Sequence, residues 1–138
     1  MPTAIKKIEN LLLNAKVFLL LYVLVAAGIG FQMYFLEGRQ ILATHPAYTQ
    51  YNNYIIFKQS FFHLTQQKDL YRLYLDECWD YYKYSPTFSL LFGFLAVLPN
   101  LIGLIFWNLL NALIIFFAVQ FIPNISIKKK NIILIFAL

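Results

Sequence analysis

The sequence has little charge, and what it has is unevenly placed. Only 12% of its 138 residues are charged and 61% are hydrophobic, whereas a soluble domain carries roughly 25% charged residues. No charged residue occurs from Val17 to Leu36 or from Tyr84 to Ile127. About 20 uncharged apolar residues are enough for a helix to cross the ~30 Å hydrocarbon core of a bilayer. These windows exclude an ordinary water-soluble globule and predict an integral membrane protein.

Several familiar signals of chemistry are missing. Cys78 is the single cysteine, so no internal disulfide can form. His45 and His63 have no carboxylate at a metal-ligand spacing, and there is no glycine-rich phosphate loop, so we expect neither a metal nor a cofactor. The run Lys128–Lys130 is interpreted as a charge cluster that flanks a membrane segment, and no nucleic-acid partner is expected.

The basic residues predict how the chain enters the membrane. Residues 1–16 carry Lys6, Lys7 and Lys16 against a single acid, Glu9. Such flanks are retained on the cytoplasmic side, so residues 1–16 are predicted to be cytoplasmic and residues 17–36 to cross outward. This first apolar segment is too long for the apolar core of a cleavable signal, and we expect it to remain as an anchor.

The segment 37–83 is predicted to be an extracytoplasmic loop. A helical wheel of residues 51–64 places Asn52, Ser60 and His63 on one side and aromatic side chains on the other, which predicts an amphipathic helix lying on the membrane surface. Lys58 falls on the apolar side, from which its ammonium is expected to reach the headgroups. The loop also holds five of the six acids of the chain: Glu37, Asp69, Asp76, Glu77 and Asp80.

The stretch YYKYSPTF (81–88) predicts the return into the membrane. Tyrosine and lysine prefer the membrane interface, and Pro86 suits the first turn of a helix. A short apolar helix at 84–98 ends at LPN (98–100), a second apolar helix covers 101–122, and a basic loop follows at 123–130. Either both helices cross, with Lys128–Lys130 outside, or the first is re-entrant and the lysines are inside, as the positive-inside bias alone favours.

The apolar residues 131–138 are too few to cross and are interpreted as the start of a truncated transmembrane helix. The expected fold is therefore all-α. We predict the N-terminal fragment of a polytopic transmembrane protein, with three membrane helices (one of them either spanning or re-entrant), the start of a fourth, and an outer loop with an interfacial helix.

Four segments, in order, resemble the start of the family 87 glycosyltransferases, which are polytopic enzymes of the GT-C type. They are NNYIIFKQS, KDLY (68–71), YKYSPTFSLLFGFLAVLP and LIFWNLLNALIIF, and they cover residues 51–117, about half of the chain. In that family an aspartate motif opens the first outer loop, a Tyr-Pro-Pro-Phe-like motif enters the next helix, and a Leu-Pro break follows. The family pattern favours the topology in which both helices cross.

The resemblance implies a transferase that moves a sugar from a polyprenyl-phosphate donor to the hydroxyl of a glycan or glycolipid acceptor. The site would face outward from a membrane, which we expect to be the bacterial cytoplasmic (inner) membrane. A carboxylate would accept the hydroxyl proton, for which Asp69 and Asp80 rank highest, with Asp76 and Glu77 as other loop acids. Arg72 and Lys83 would hold the phosphate. Asn53, together with Asn52 and Tyr84, is expected to bind substrate.

One departure from the family pattern bears directly on activity. Asn53, or less well Asn52, stands where the family has its first-loop aspartate, and an amide cannot accept a proton. Another loop acid can serve as the base, Asn53 can bind the acceptor, or the protein is a catalytically silent relative. The competing class is a non-enzymatic polytopic protein, such as a flippase-type or assembly subunit. A transporter would be expected to carry ionisable residues within its spans, and this chain has none there.

Overall fold

The computed structural model describes residues 14–36, 38–40 and 43–138, and the regular structure of these residues is helical. The helices are α1 (Ala15–Phe35), α2 (Asn52–Thr65), α3 (Pro86–Ala96), α4 (Asn100–Gln120) and α5 (Ile127–Ala137). Arg39 and Tyr48 form an isolated antiparallel bridge, and no longer strand occurs in this part of the chain. The prediction of an all-α fold is confirmed. Lys6, Lys7, Glu9 and Glu37 lie outside the described residues.

The two longest described helices, α1 and α4, are long and apolar enough to cross a membrane. Only 22% of the most apolar 18-residue window of each is buried, whereas the core helix of a soluble protein is mostly buried. Their exposed side chains include Leu20, Leu24 and Phe31 on α1 and Phe106 and Ile114 on α4. The surface of both helices is therefore hydrocarbon over much of their length.

The chain divides into two compact units, which we call the terminal unit (the described residues up to Gly28, with Asn108–Leu138) and the loop unit (Ile29–Trp107). The core of the terminal unit consists of side chains from three helices: Phe18, Tyr22, Phe116, Val119 and Leu134. The Tyr22 hydroxyl donates to the carbonyl of Leu134 over 2.8 Å. This bond joins the first half of α1 to α5.

The last helix begins earlier than the sequence indicates. The sequence placed Lys128–Lys130 in a loop, but they form the first turn of α5. Ser126 precedes the helix, and its carbonyl accepts the Lys130 amide over 3.0 Å. The Lys130 ammonium donates to the carbonyl of Gln120 at the end of α4. The predicted loop at 123–130 is wrong for these three residues, because α5 begins at Ile127.

The core of the loop unit forms where α2 packs against α3 and the start of α4. The Phe57 ring lies 5.1 Å from Phe88, 5.6 Å from Phe92 and 5.6 Å from Trp107, centroid to centroid. Phe92 also contacts Trp107 at 5.2 Å, and a Cβ placed on Gly103 would lie 3.0 Å from the Leu95 carbonyl oxygen. Because later residues of α3 meet earlier residues of α4, the two helices form an antiparallel hairpin.

Part of the polar side of α2 is covered by protein. Ile56, Ser60 and His63 are all buried, and Ile56 packs with Leu70 and other side chains of the returning chain. On the opposite side, the Lys58 ammonium donates to the Leu98 carbonyl at 2.7 Å and to the Asn100 side chain at 2.8 Å. The expectation that Lys58 reaches the headgroups is wrong, because its ammonium binds the free carbonyl at the end of α3 instead.

The start of α3 follows the sequence closely. Ser85 precedes the helix and its side chain accepts the Phe88 amide, while Pro86 occupies the first turn. The 11 residues of α3 span only ~16 Å at 1.5 Å per residue, which is half of a hydrocarbon core. One side of the helix is buried, and the other exposes four apolar side chains: Leu90, Leu91, Phe94 and Val97.

Candidate functional site

A shallow pocket lies between α2 and the chain that returns toward α3. Its walls combine an apolar floor with polar and ionisable groups: Ile56, Gln59, Ser60, His63, Leu70, Arg72, Tyr74, Cys78, Asp80 and Tyr82. It has room for about one water molecule. A hexose does not fit inside it, so a sugar could only rest against its mouth.

A histidine lines the pocket and is paired with a glutamate outside the lining. His63 Nε2 lies 2.8 Å from Glu77 Oε2, with the two side chains 6% and 28% exposed. The Tyr74 ring packs on the imidazole at 4.1 Å, centroid to centroid. The Tyr74 carbonyl accepts the amides of Glu77 and Cys78, which closes a turn and brings Glu77 back to α2. The imidazole is thus held on one side by an aromatic ring and on another by a carboxylate.

Arg72 supplies a cation at the edge of the same pocket. Its guanidinium lies 5.9 Å from the centre of the Tyr74 ring, within the range of a cation–π contact. The side chain is exposed. A guanidinium carries five N–H donors that match the oxygens of a phosphate. This arrangement can bind an anion at the mouth of the pocket.

Asp80 lines the pocket but is already engaged. Its Oδ2 accepts from the Lys83 ammonium at 2.6 Å, and its Oδ1 accepts the Tyr81 amide at 2.7 Å. The hydrogen bond from Lys83, followed by that from the Tyr81 amide, lowers the pKa of this carboxyl. A lowered pKa makes the carboxylate a weaker base.

The remaining predicted site residues lie elsewhere in the loop unit. Asn52 Oδ1 accepts the Trp79 amide at 3.1 Å, so it ties α2 to the returning chain. Asn53 is exposed and does not line the pocket. Asp69 is exposed and its Oδ1 accepts the Tyr71 amide at 2.9 Å, the geometry of a turn. Tyr84 is 51% exposed and its ring meets Phe57 edge-on at 5.2 Å.

The structure therefore brings together only some of the predicted residues. Arg72 and Asp80 share the pocket, and Lys83 joins them through its ion pair. His63 and Tyr74 were not among the predicted site residues, and Glu77 was weighed only as one of several acids. The polar stripe of α2 was the available signal for His63, but a helix lying on the membrane surface, as predicted, would turn that stripe to water and headgroups.

The structure gives less support for a nucleophile or a metal ion in the pocket. Burial raises the pKa of the Cys78 thiol, which keeps it protonated and a poor nucleophile. Within the described part of the chain, no three His, Cys, Asp or Glu side chains come together as a group that could hold a metal ion. The chemistry that the pocket can perform is proton transfer by His63 with Glu77 behind it, and anion binding by Arg72.

Comparisons with known proteins give no further guide. No family model, no curated protein and no solved structure matches the chain.

Proposed function

We propose that the chain belongs to a polytopic membrane glycosyltransferase that moves a sugar from a polyprenyl-phosphate donor to an acceptor hydroxyl at the outer membrane face. The observation that carries the proposal is the pocket of the loop unit. Arg72, Asp80 and His63 meet there within a folded segment that connects two long apolar helices. The ordered motifs that resemble family 87 run through the same segment. A lipid-linked anionic donor calls for apolar helices and for a cation such as Arg72 in the same chain.

The terminal unit supports the topology in which α3 does not cross. Tyr22, in the first half of α1, contacts Phe116, in the last turns of α4, with 5.7 Å between ring centroids. Two upright spanning helices that meet at these positions are antiparallel, because a parallel pair would place the two rings at different depths. If α1 runs outward, α4 runs inward and Lys128–Lys130 lie in the cytoplasm. This topology also obeys the positive-inside bias.

The exposed side of α3 fits this arrangement. An 11-residue helix that pairs with the start of α4 reaches only part of the way through a bilayer. Its exposed residues Leu90, Leu91 and Phe94 are all apolar. In our proposal these side chains contact the acyl chains of the outer leaflet.

The phosphate role of Arg72 provides the test. We expect the full-length protein, reconstituted in liposomes, to transfer radiolabelled sugar from at least one donor in a panel of polyprenyl-phosphate sugars. Arg72→Gln should raise the donor KM by roughly 10-fold, since a hydrogen bond to a charged group contributes about 1.5 kcal/mol. Arg39→Gln, which removes an exposed arginine that does not line the pocket, is the matched control. The absence of transfer by the wild type with every donor would overturn the proposal.

A non-enzymatic role is the second candidate, and one observation favours it. Both carboxylates ranked first as the base make local structural bonds, Asp69 to the Tyr71 amide and Asp80 to Lys83. Asn53 has no carboxylate to offer. A silent relative would bind the polyprenyl-phosphate donor in the same assay without consuming it, and Arg72→Gln would weaken that binding.

A further inference from the structure

We propose that His63 accepts the proton of the acceptor hydroxyl, with Glu77 as the positioning residue that holds its imidazole. This inference rests on the proposed function and assigns the base of that reaction. In this inference the general base is not Asp69 or Asp80, the two acids that the sequence favours.

The geometry separates the two members of the pair. His63 lines the pocket and Glu77 does not, so the imidazole, and not the carboxylate, borders the space that a substrate would approach. Its Nε2 bonds to Glu77 at 2.8 Å. When Nε2 donates the proton of this bond, Nδ1 becomes the ring nitrogen that can accept one. A base oriented by a third group in this way is a recurring unit of nucleophile activation.

The competing acids are less suited to the same task. Asp80 shares the pocket, but its two oxygens already accept from Lys83 and Tyr81. Asp69 holds the Tyr71 amide and does not line the pocket. His63 lines the pocket, and one nitrogen of its ring can accept a proton when Nε2 donates to Glu77. It is therefore better placed to accept the hydroxyl proton than either aspartate.

The single-water volume of the pocket gives the proton a path. One water could bond to His63, Ser60 and Gln59, which supplies the two to four polar partners that a buried water needs. The acceptor hydroxyl would rest at the mouth and pass its proton directly or through this water. The new bond joins the hydroxyl oxygen to the anomeric carbon. The bond from that carbon to the donor phosphate breaks, and its electron pair leaves with the polyprenyl phosphate beside Arg72.

Several ionisable groups surround the imidazole. Those that face or share its pocket all come from the returning chain: Arg72, Tyr74, Glu77, Cys78, Asp80 and Tyr82. Glu77 is the one within hydrogen-bond distance. Replacing it should change the acid side of the pH–rate profile more than replacing a loop acid outside the pocket.

The test uses the reconstituted full-length protein and a donor that the wild type accepts. His63→Gln preserves a donor for Glu77 but removes the base, so kcat should fall by about 10²-fold or more while the donor KM stays within about twofold. The acid limb that a titrating imidazole gives to the wild-type profile should disappear. Glu77→Gln should keep measurable turnover with a displaced acid limb. His45→Gln, which changes a histidine outside the pocket, should leave the profile unchanged.

Each outcome decides the assignment. Wild-type kcat and an unchanged acid limb in a folded His63→Gln protein would overturn it while leaving the proposed function intact. Absence of transfer by the wild type would remove the proposed function and this inference together. If His63→Gln does not fold, Glu77→Gln carries the test. A folded Glu77→Gln protein with a wild-type profile, or failure of both variants to fold, would make the pair purely structural.

Discussion

The two short helices of the loop unit, α2 and α3, differ in how well their pattern of polar and apolar residues indicates what each side contacts. In sequence α2 has a polar and an apolar side, yet both sides face protein: Ser60 and His63 are buried on one, and Phe57 packs on α3 from the other. The sequence of α3 is almost uniformly apolar, yet Leu91 and Phe94 on one side are exposed. The helix that resembles a surface helix is enclosed, and the helix that resembles a core helix is half uncovered.

This difference shows that amphipathicity reports only that the two sides of a helix differ in polarity. It does not report whether each side contacts water, protein or lipid. A polar side can be covered by a chain that offers hydrogen-bond partners, as Glu77 does for His63. An apolar side can be left open when the solvent is lipid. Substitutions can test this comparison at the packed side of α2 and at the exposed side of α3.

A large effect is expected where Tyr54 of α2 packs against the start of α4. A Cβ on Gly103 would overlap the Tyr54 hydroxyl oxygen, and Tyr54 is only 2% exposed, so its ring has little room to withdraw. Gly103→Ala should therefore lower the free energy of unfolding by roughly 1–3 kcal/mol through overpacking. Thermal unfolding in detergent, followed by tryptophan fluorescence, measures the loss.

Two variants test the cause of this loss. Gly28→Ala is the matched control, because nothing lies within 4 Å of its Cβ. Tyr54→Phe removes the oxygen in question and should restore much of the stability when combined with Gly103→Ala. A Gly103→Ala protein as stable as Gly28→Ala would mean that α2 is not packed as tightly as we describe.

The next effect concerns the exposed side of α3. Leu91 is 68% exposed. If that surface faces acyl chains, Leu91→Asp should cost up to about 2.5–3.5 kcal/mol, the value for an acid at the bilayer centre, and less nearer the interface. If it faces water, the change should stay within about 0.5 kcal/mol. Unfolding midpoints in lipid nanodiscs compare the two cases. Gln66→Asp, at an exposed position just after α2, is the control, and equal midpoints would refute lipid contact.

The sequence was sufficient for the elements that depend on neighbouring residues. The charge-free windows located α1 and α4, and Ser85 with Pro86 located the start of α3. Each of these signals acts within a turn or along one helix. The side-chain oxygen of Ser85, for example, needs only the Phe88 amide three residues later.

The candidate site depends on contacts that the local pattern does not contain. His63 and Glu77 are brought together by a turn at Tyr74 and by the return of the chain over α2. Lys58 finds its partner at Leu98, forty residues away. Helical periodicity identified which α2 residues share a side, but it could not indicate that protein would cover that side. Arg72 and Asp80 were chosen for their charge, and only the fold places them in one pocket.

The smallest effect concerns the Asp80–Lys83 pair, which lies just before α3 and reports on whether the start of that helix is wet. The two side chains are 46% and 62% exposed. A double-mutant cycle of Asp80→Asn and Lys83→Gln should therefore give a coupling of only about 0.2–1 kcal/mol. The folded-state pKa of Asp80 is lowered, first by the Lys83 hydrogen bond. The coupling should thus be complete above the unfolded-state pKa of about 3.9 and be lost as the pH falls through the lower folded-state value.

Salt at about 1 M should reduce the coupling between Asp80 and Lys83 as well. A coupling several times larger that resists salt would instead place the pair in a low-dielectric surrounding, and the start of α3 would then lie at membrane depth with its exposed side.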